Sequence, residues 1–278
     1  MVLGLASACG GGDIGSYGPV SFSADHPRIY MKSHKDALAA ALKAGQPEAM
    51  RFKQMVDRWV GGGDVYNFFS WNAALLGQLT GDPKYCAAAI KDVDQQVNDA
   101  NNDVGGGNSP AVANDSYLDV GNLIGNLALV YDWCAESLPA DRRGAWLSYA
   151  DQAVYNVWNP DAAKWGSMKA MWSGWAIDDP SDNYFYAFLR ATMLLGLAAH
   201  DETPQAKGWL SQFRDTKLGE LDKVFTQQLT GGGSREGTGY GVSQRDVFEL
   251  YDLWQGSTSP GERIADLTPH TRASMLAM

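Results

Sequence analysis

Residues 68–97 read FFSWNAALLGQLTGDPKYCAAAIKDVDQQV, and the fold turns on this stretch. Phe68, Asn72, Leu75, Leu76 and Leu79 recur at helical intervals, and so do Cys86, Ala89, Ile90, Val93 and Val97. Each set lines one face of a helix with 3.6 residues per turn. Between them Gly81-Asp82-Pro83 stops one helix and starts the next, with Asp82 as N-cap and Pro83 at the first helical position. Two amphipathic helices joined by so short a turn form a hairpin.

The same scheme extends outward. Phe52, Met55, Val56, Trp59 and Val60 form a stripe before the hairpin. Val120, Leu123, Ile124, Leu127, Val130, Tyr131 and Cys134 form one after it, halted near Leu138-Pro139, and a further helix is expected roughly from Asp141 to Trp158. In the second half Asp182 caps a helix through Tyr186, Leu189, Met193 and Leu197, and Thr203-Pro204 opens one expected to last until about Leu229. Val247, Leu250, Tyr251 and Trp254 carry another, and a last helix begins near Pro269. About ten helices and no convincing strand make the chain all-α. Short turns inside pairs and longer Gly-rich loops between pairs suggest an α/α toroid, an incomplete barrel of helical hairpins. A helical-repeat solenoid would show a fixed period, and none of the 34-residue type is visible.

The 278 residues carry 22 Lys+Arg against 32 Asp+Glu, a net charge of −10. Without a dense basic stripe there is no electrostatic footprint for nucleic acid. At 45% hydrophobic and 19% charged the chain has the material for a core. Of its three cysteines, Cys86 and Cys134 fall on apolar helix stripes and read as small buried hydrophobes. Cys9 ends the run Val2-Leu3-Gly4-Leu5-Ala6-Ser7-Ala8 and precedes Gly10-Gly11-Gly12-Asp13, which resembles a bacterial lipobox with its lipidated cysteine. That reading divides the chain into a truncated lipoprotein-type signal at 1–9, a linker at 10–24 and a helical domain at 25–278. It expects an exported protein, periplasmic or anchored to the outer membrane through Cys9. No other segment has the length of apolar sequence that a membrane span needs.

Helices are committed to packing, so a site is sought in the loops. One loop, Met171-Trp172-Ser173-Gly174-Trp175-Ala176-Ile177-Asp178-Asp179-Pro180-Ser181-Asp182-Asn183-Tyr184, brings two tryptophans, an amide and a tyrosine to a helix N-terminus. Another, Gly231-Gly232-Gly233-Ser234-Arg235-Glu236-Gly237-Thr238-Gly239-Tyr240-Gly241, presents Arg235, Glu236 and Tyr240, with Arg245 about a turn later. It lacks the lysine and the preceding strand of a phosphate-binding loop.

These two motifs, S-D-N-Y-F-Y-A-F-L and G-G-x-x-x-E-G-T-G-Y-G, resemble the heparinase II/III-like and alginate-lyase group of polysaccharide lyases. The early His26-Pro27-Arg28-Ile29-Tyr30 is similar to the entry segment of such secreted proteins. The resemblance implies an α/α toroid followed by an antiparallel β-sheet domain, and that second domain is absent from this chain. The last helix runs into Met278 without a stop signal, so the toroid itself is expected to be cut short. The resemblance also implies β-elimination on a uronic-acid polymer, with no cofactor and no metal. Removing the C5 proton beside a carboxylate requires donors that stabilise the enolate-like dianion. By resemblance Asn183 is that donor and Tyr240 the acid/base, its ionisation favoured by Arg245 or Arg235. Glu236 orients one of these arginines or binds sugar hydroxyls. Trp172, Trp175, Tyr184 and Arg235 bind an anionic polysaccharide or oligosaccharide. The family's catalytic histidine has no counterpart after Asn183, where Tyr184 stands.

Plainer roles stand beside these: a helix cap for Asn183, packing for Tyr240, Trp172 and Trp175, salt bridges for Glu236 and Arg245, and a helix terminus for His270. Two other functions fit the same loops. A glycoside hydrolase would pair Asp178 or Asp179 with Glu236 as its two carboxylates. A surface lipoprotein would bind glycan on the tryptophans without cleaving it.

Overall fold

A computed structural model describes residues 19–237 and 241–277. Among the described residues the chain is mostly helical. In order it forms β1 (Ser21–Phe22), α1 (Met31–Lys43), α2 (Pro47–Val60), α3 (Trp71–Thr80), α4 (Pro83–Gly105), α5 (Val120–Trp133) and α6 (Ala140–Trp158). There follow β2 (Lys164–Trp165), β3 (Met168–Lys169), α7 (Asn183–Ala198), α8 (Pro204–Ser211), α9 (Leu218–Gln227), α10 (Gly241–Ser257), β4 (Thr258–Ser259) and α11 (His270–Ala277). The caps read from sequence are formed: the side chains of Asp82, Asp182 and Thr203 accept from the backbone N–H of Lys84, Tyr184 and Ala206. Gly81 closes α3 at φ 71°, a left-handed conformation that costs glycine nothing. The strands are two-residue clips; β1 pairs with β4 and β2 with β3, both antiparallel.

Two expectations change. The helix expected from Pro204 to about Leu229 is interrupted by a π-turn at Gln212–Lys217. Phe213 and Leu218 are both buried, and their five-residue spacing fits one wide turn better than an α-turn. Cys86 and Cys134 are not independent packed thiols but a disulfide, with Cα atoms 5.5 Å apart. Both apolar stripes were real; they face each other, which periodicity along one helix does not reveal. The crosslink closes a span of 48 residues, worth about 4 kcal/mol in chain entropy.

The helices pack in a closed circuit. α1 rests on α3, α3 on α5, α5 on α7, α7 on α10, and α10 on α1, while α4 packs on α3 and α5, α6 on α5 and α7, and α8 on α7. Small residues set the closest approach: a Cβ on Gly121 would lie 2.8 Å from the backbone of Ala187. Gly121 meets Ala187, and Gly125 meets Arg190 and Leu194, so α5 and α7 run in the same direction. α3 runs with them, since Trp71 N–H donates to Asn126 Oδ1 at 2.8 Å and Gln78 donates to the Trp133 carbonyl seven residues on. The first turns of α3, α5 and α7 therefore gather at one end of the circuit and their last turns at the other. Phe185 and Phe188 of α7 are buried edge-on against Trp158 at 5.7 Å each, and burial of each ring contributes roughly 2 to 3 kcal/mol. No helix among the described residues is long and apolar enough to cross a membrane.

Candidate functional site

The loop that precedes α7 lies at the end where α3, α5 and α7 begin. It turns sharply, with Trp172 at φ 61°, Gly174 at φ 80° and Ala176 at φ 52°. Gly174 is required there, because a Cβ would sit 2.7 Å from Pro160. The turns push both tryptophans outward: Trp172 is 64% and Trp175 51% exposed. Trp172 meets Trp175, Trp175 meets Tyr184, and Tyr184 meets Phe188, each pair with centroids 6.4 Å apart. A relay of rings thus runs from solvent into the core. Three residues that sequence assigned to substrate binding come together as one aromatic cluster, with Trp172 and Trp175 exposed and Tyr184 half-buried against the core.

Asn183 is the first residue of α7 and stands beside that surface. The cap is supplied by Asp182, whose Oδ1 accepts from Tyr184 N–H at 2.9 Å. Asn183 is thereby released from capping, and among the described residues its carboxamide makes no hydrogen bond. Burial raises the Asp182 carboxyl above the usual range, with Asp179 adding a like charge.

Arg235 reaches across from its own loop to Asp179 Oδ1 and Ser181 Oγ, both at 3.3 Å, so it clips the two loops together. Glu236 is partly buried, its N–H donating to Ser234 Oγ at 3.3 Å; burial above all, and then the Glu236 charge, hold the Tyr186 phenol in its protonated form. Arg245 is exposed on α10 and pairs with Asp246 and Glu249 of its own helix at 3.3 and 3.4 Å. Tyr240 and Cys9 lie outside the described residues. His270 begins α11, is fully buried and stacks on Phe225 at 3.8 Å.

Sequence reasoning missed Asp115 here. Tyr184 Oη donates to Asp115 Oδ1 at 2.7 Å. Asp115, Ser116 and Tyr117 stand at φ 44°, 53° and 69°, three consecutive non-glycine residues in left-handed conformation. Each costs on the order of 1 to 3 kcal/mol, and such strain gathers at functional sites. It is held by Tyr117, whose buried hydroxyl accepts from Trp165 Nε1 at 2.8 Å and Asn156 Nδ2 at 3.3 Å. No local pattern announces that conformation.

The opposite end holds a different constellation. Asp132, at the end of α5, accepts from Arg28 N–H at 2.9 Å and Ile29 N–H at 2.8 Å, and His26 Nδ1 lies 2.6 Å away. His26 Nε2 is 2.7 Å from Glu202, which also takes Arg28 at 2.6 Å and Tyr131 Oη at 2.5 Å. Burial would raise the Glu202 carboxyl, but the hydrogen bonds from Tyr131, His26 and Arg28 outweigh it and hold it below the usual range. A neighbouring cavity of about 410 Å³ is lined by His26, Lys35, Gln78, Asp132, Cys134 and Ser137. Its polar walls are already bonded to one another, the pattern of an anchor. Among the described residues no group of His, Cys, Asp and Glu converges as a metal site would need. No family model, no curated protein and no solved structure matches the chain.

Proposed function

We propose that the chain is the helical part of an exported polysaccharide lyase, its circuit of helices an α/α toroid and its cleft at the end where α5 and α7 begin. The observation that carries this reading is the carboxamide of Asn183, relieved of capping by Asp182 and set beside the exposed Trp172 and Trp175 and the half-buried Tyr184. Flat exposed rings suit the apolar faces of sugars, and a neutral amide suits a carboxylate that gains charge as C5 is deprotonated. The positive ends of the parallel helices add to the attraction for an acidic polymer despite the net charge of −10. In the proposed reaction a uronic-acid ring stacks on the tryptophans and its carboxylate accepts from Asn183. Tyr240, ionised, removes the C5 proton; the C4–O4 bond breaks, and the proton returns to the departing oxygen.

The Cys86–Cys134 disulfide supports export, since such bonds persist in oxidising compartments. A lipid anchor at Cys9 remains part of the proposal. The bond from Arg235 to Asp179 engages one of the two aspartates open to the hydrolase reading and leaves it Asp178. The test is the conjugated, unsaturated uronate released from alginate-, heparan-, hyaluronan- and ulvan-type polymers. Its appearance with the native chain, and its loss in Asn183→Ala and Tyr240→Phe, are expected; saturated products, or full activity in both variants, overturn the reading.

A further inference from the structure

The left-handed run Asp115-Ser116-Tyr117 fixes the place of one carboxylate. Glycine would adopt φ 44°, 53° and 69° without a clash, yet the chain carries three side chains there. Tyr117 has a structural reason: its buried hydroxyl accepts from Trp165 and Asn156 and moors the turn. Asp115 moors nothing in the core. It is exposed, and the turn carries its carboxylate to the hydroxyl of Tyr184, 69 positions away in the chain, at 2.7 Å. Oδ1 accepts that bond; among the described residues Oδ2 has no hydrogen bond, and neither oxygen has an ion pair. The carboxylate thus borders the cluster of Trp172, Trp175 and Tyr184 with an acceptor unused. An ionised carboxylate only accepts, so it recognises donors, and it repels a second carboxylate. Asn183 and Tyr184 are consecutive on α7, so their side chains diverge by about 100° around its axis. The Asn183 amide and the Tyr184–Asp115 pair therefore leave the helix in different directions.

We propose that Asp115 is a specificity-determining residue of this surface, its unused oxygen accepting from ring hydroxyls of a sugar stacked on Trp172 and Trp175. The inference rests on the glycan reading above and adds to it which edge of the ring is read. The hydroxyl edge turns to Asp115, and the carboxylate edge turns away from it. The bond from Tyr184 holds the acceptor in place before the sugar arrives, so little side-chain freedom is lost on binding.

Binding of three kinds of probe to the full chain tests it: a uronic-acid tetrasaccharide from each of the four polymer types named above, the same compounds with their hydroxyls methylated, and a cationic glucosamine tetrasaccharide. The native chain is expected to bind at least one free tetrasaccharide about 10- to 100-fold more tightly than its methylated form. Asp115→Gly removes the acceptor and suits φ 44°. It is expected to bind the free form that much more weakly and the methylated form unchanged, so that the preference disappears. Asp115→Asn keeps an oxygen for Tyr184 but sets a donor where the second oxygen was, and is expected to lose about tenfold of the preference. Thermal melting of the unliganded variants separates recognition from support of the fold. If Asp115 only closes the turn, the variants melt differently from the native chain but discriminate the probes as it does. An undiminished preference in either variant, no preference in the native chain, tighter binding of the glucosamine probe, or no binding of any probe overturns the inference. Unsaturated product is scored separately. Product with an Asp115-independent preference leaves the lyase reading standing without this inference, and an Asp115-dependent preference without product does the reverse.

Discussion

The two ends of the helical circuit are built from similar residues and use them differently. Where α3 and α5 finish, Asp132, His26, Arg28, Tyr131 and Glu202 bond to one another, and the disulfide lies beside them. Where α5 and α7 begin, two tryptophans face solvent, the Asn183 carboxamide has no hydrogen bond among the described residues, and three residues in a row are strained. Mutual satisfaction is what an anchor needs, since a buried polar group without a partner costs free energy. Unspent donors and exposed rings are what a site needs, because a ligand can be bound only by groups not already bound. On the proposed reading, the contrast places stability at one end and recognition at the other.

The sharpest attack on that contrast is removal of the crosslink. Cys86→Ser with Cys134→Ser is expected to lower the unfolding free energy by about 4 kcal/mol in denaturant titration. A loss under 1 kcal/mol would mean that the anchor lies elsewhere. Next, Asp132→Asn sets an amide against two backbone N–H groups and His26, and about 3 kcal/mol should be lost. If melting is unchanged, the network is ornamental to stability.

An opposite sign is expected at Asp222 of α9, which is buried with neither carboxylate oxygen hydrogen-bonded and is pushed up to about 7 by burial. In the unfolded chain an aspartate titrates near 3.9. As pH rises from about 4 the unfolded state ionises first, so native stability falls through the window up to about 7 and then levels. Asp222→Asn should therefore be more stable than the native chain at pH 8, by about 2 kcal/mol, with the difference vanishing near pH 4. A difference that grows toward acid would contradict the burial argument. Smaller still, Tyr184→Phe removes the hydrogen bond to Asp115 and should cost about 1 kcal/mol. Least of all, Trp172→Ala should shift stability by no more than about 0.5 kcal/mol while weakening oligosaccharide binding roughly tenfold. Marked destabilisation there would return that ring to ordinary packing.

Particular residues mark how far the sequence carried. Asp82, Asp182 and Thr203 were legible as caps because a cap is a local bond, made within three residues. Trp172, Trp175 and Tyr184 were legible as a group because one loop bears the tryptophans and delivers Tyr184 to the first turn of α7. The role of Arg235 was not legible, since its bond to Asp179 spans 56 positions and joins two loops. The left-handed run at Asp115–Tyr117 was invisible for a related reason: it is enforced by Asn156 and Trp165 from distant elements.

By itself the sequence determined the helices, their starts, and which face of each is apolar, because hydrophobic periodicity and capping act over a few residues. Tertiary structure alone decided that Cys86 meets Cys134, that α5 and α7 lie parallel across Gly121, and that the Asn183 carboxamide is left without a hydrogen bond among the described residues. Those outcomes depend on which apolar face meets which, and that choice is made among all the helices at once.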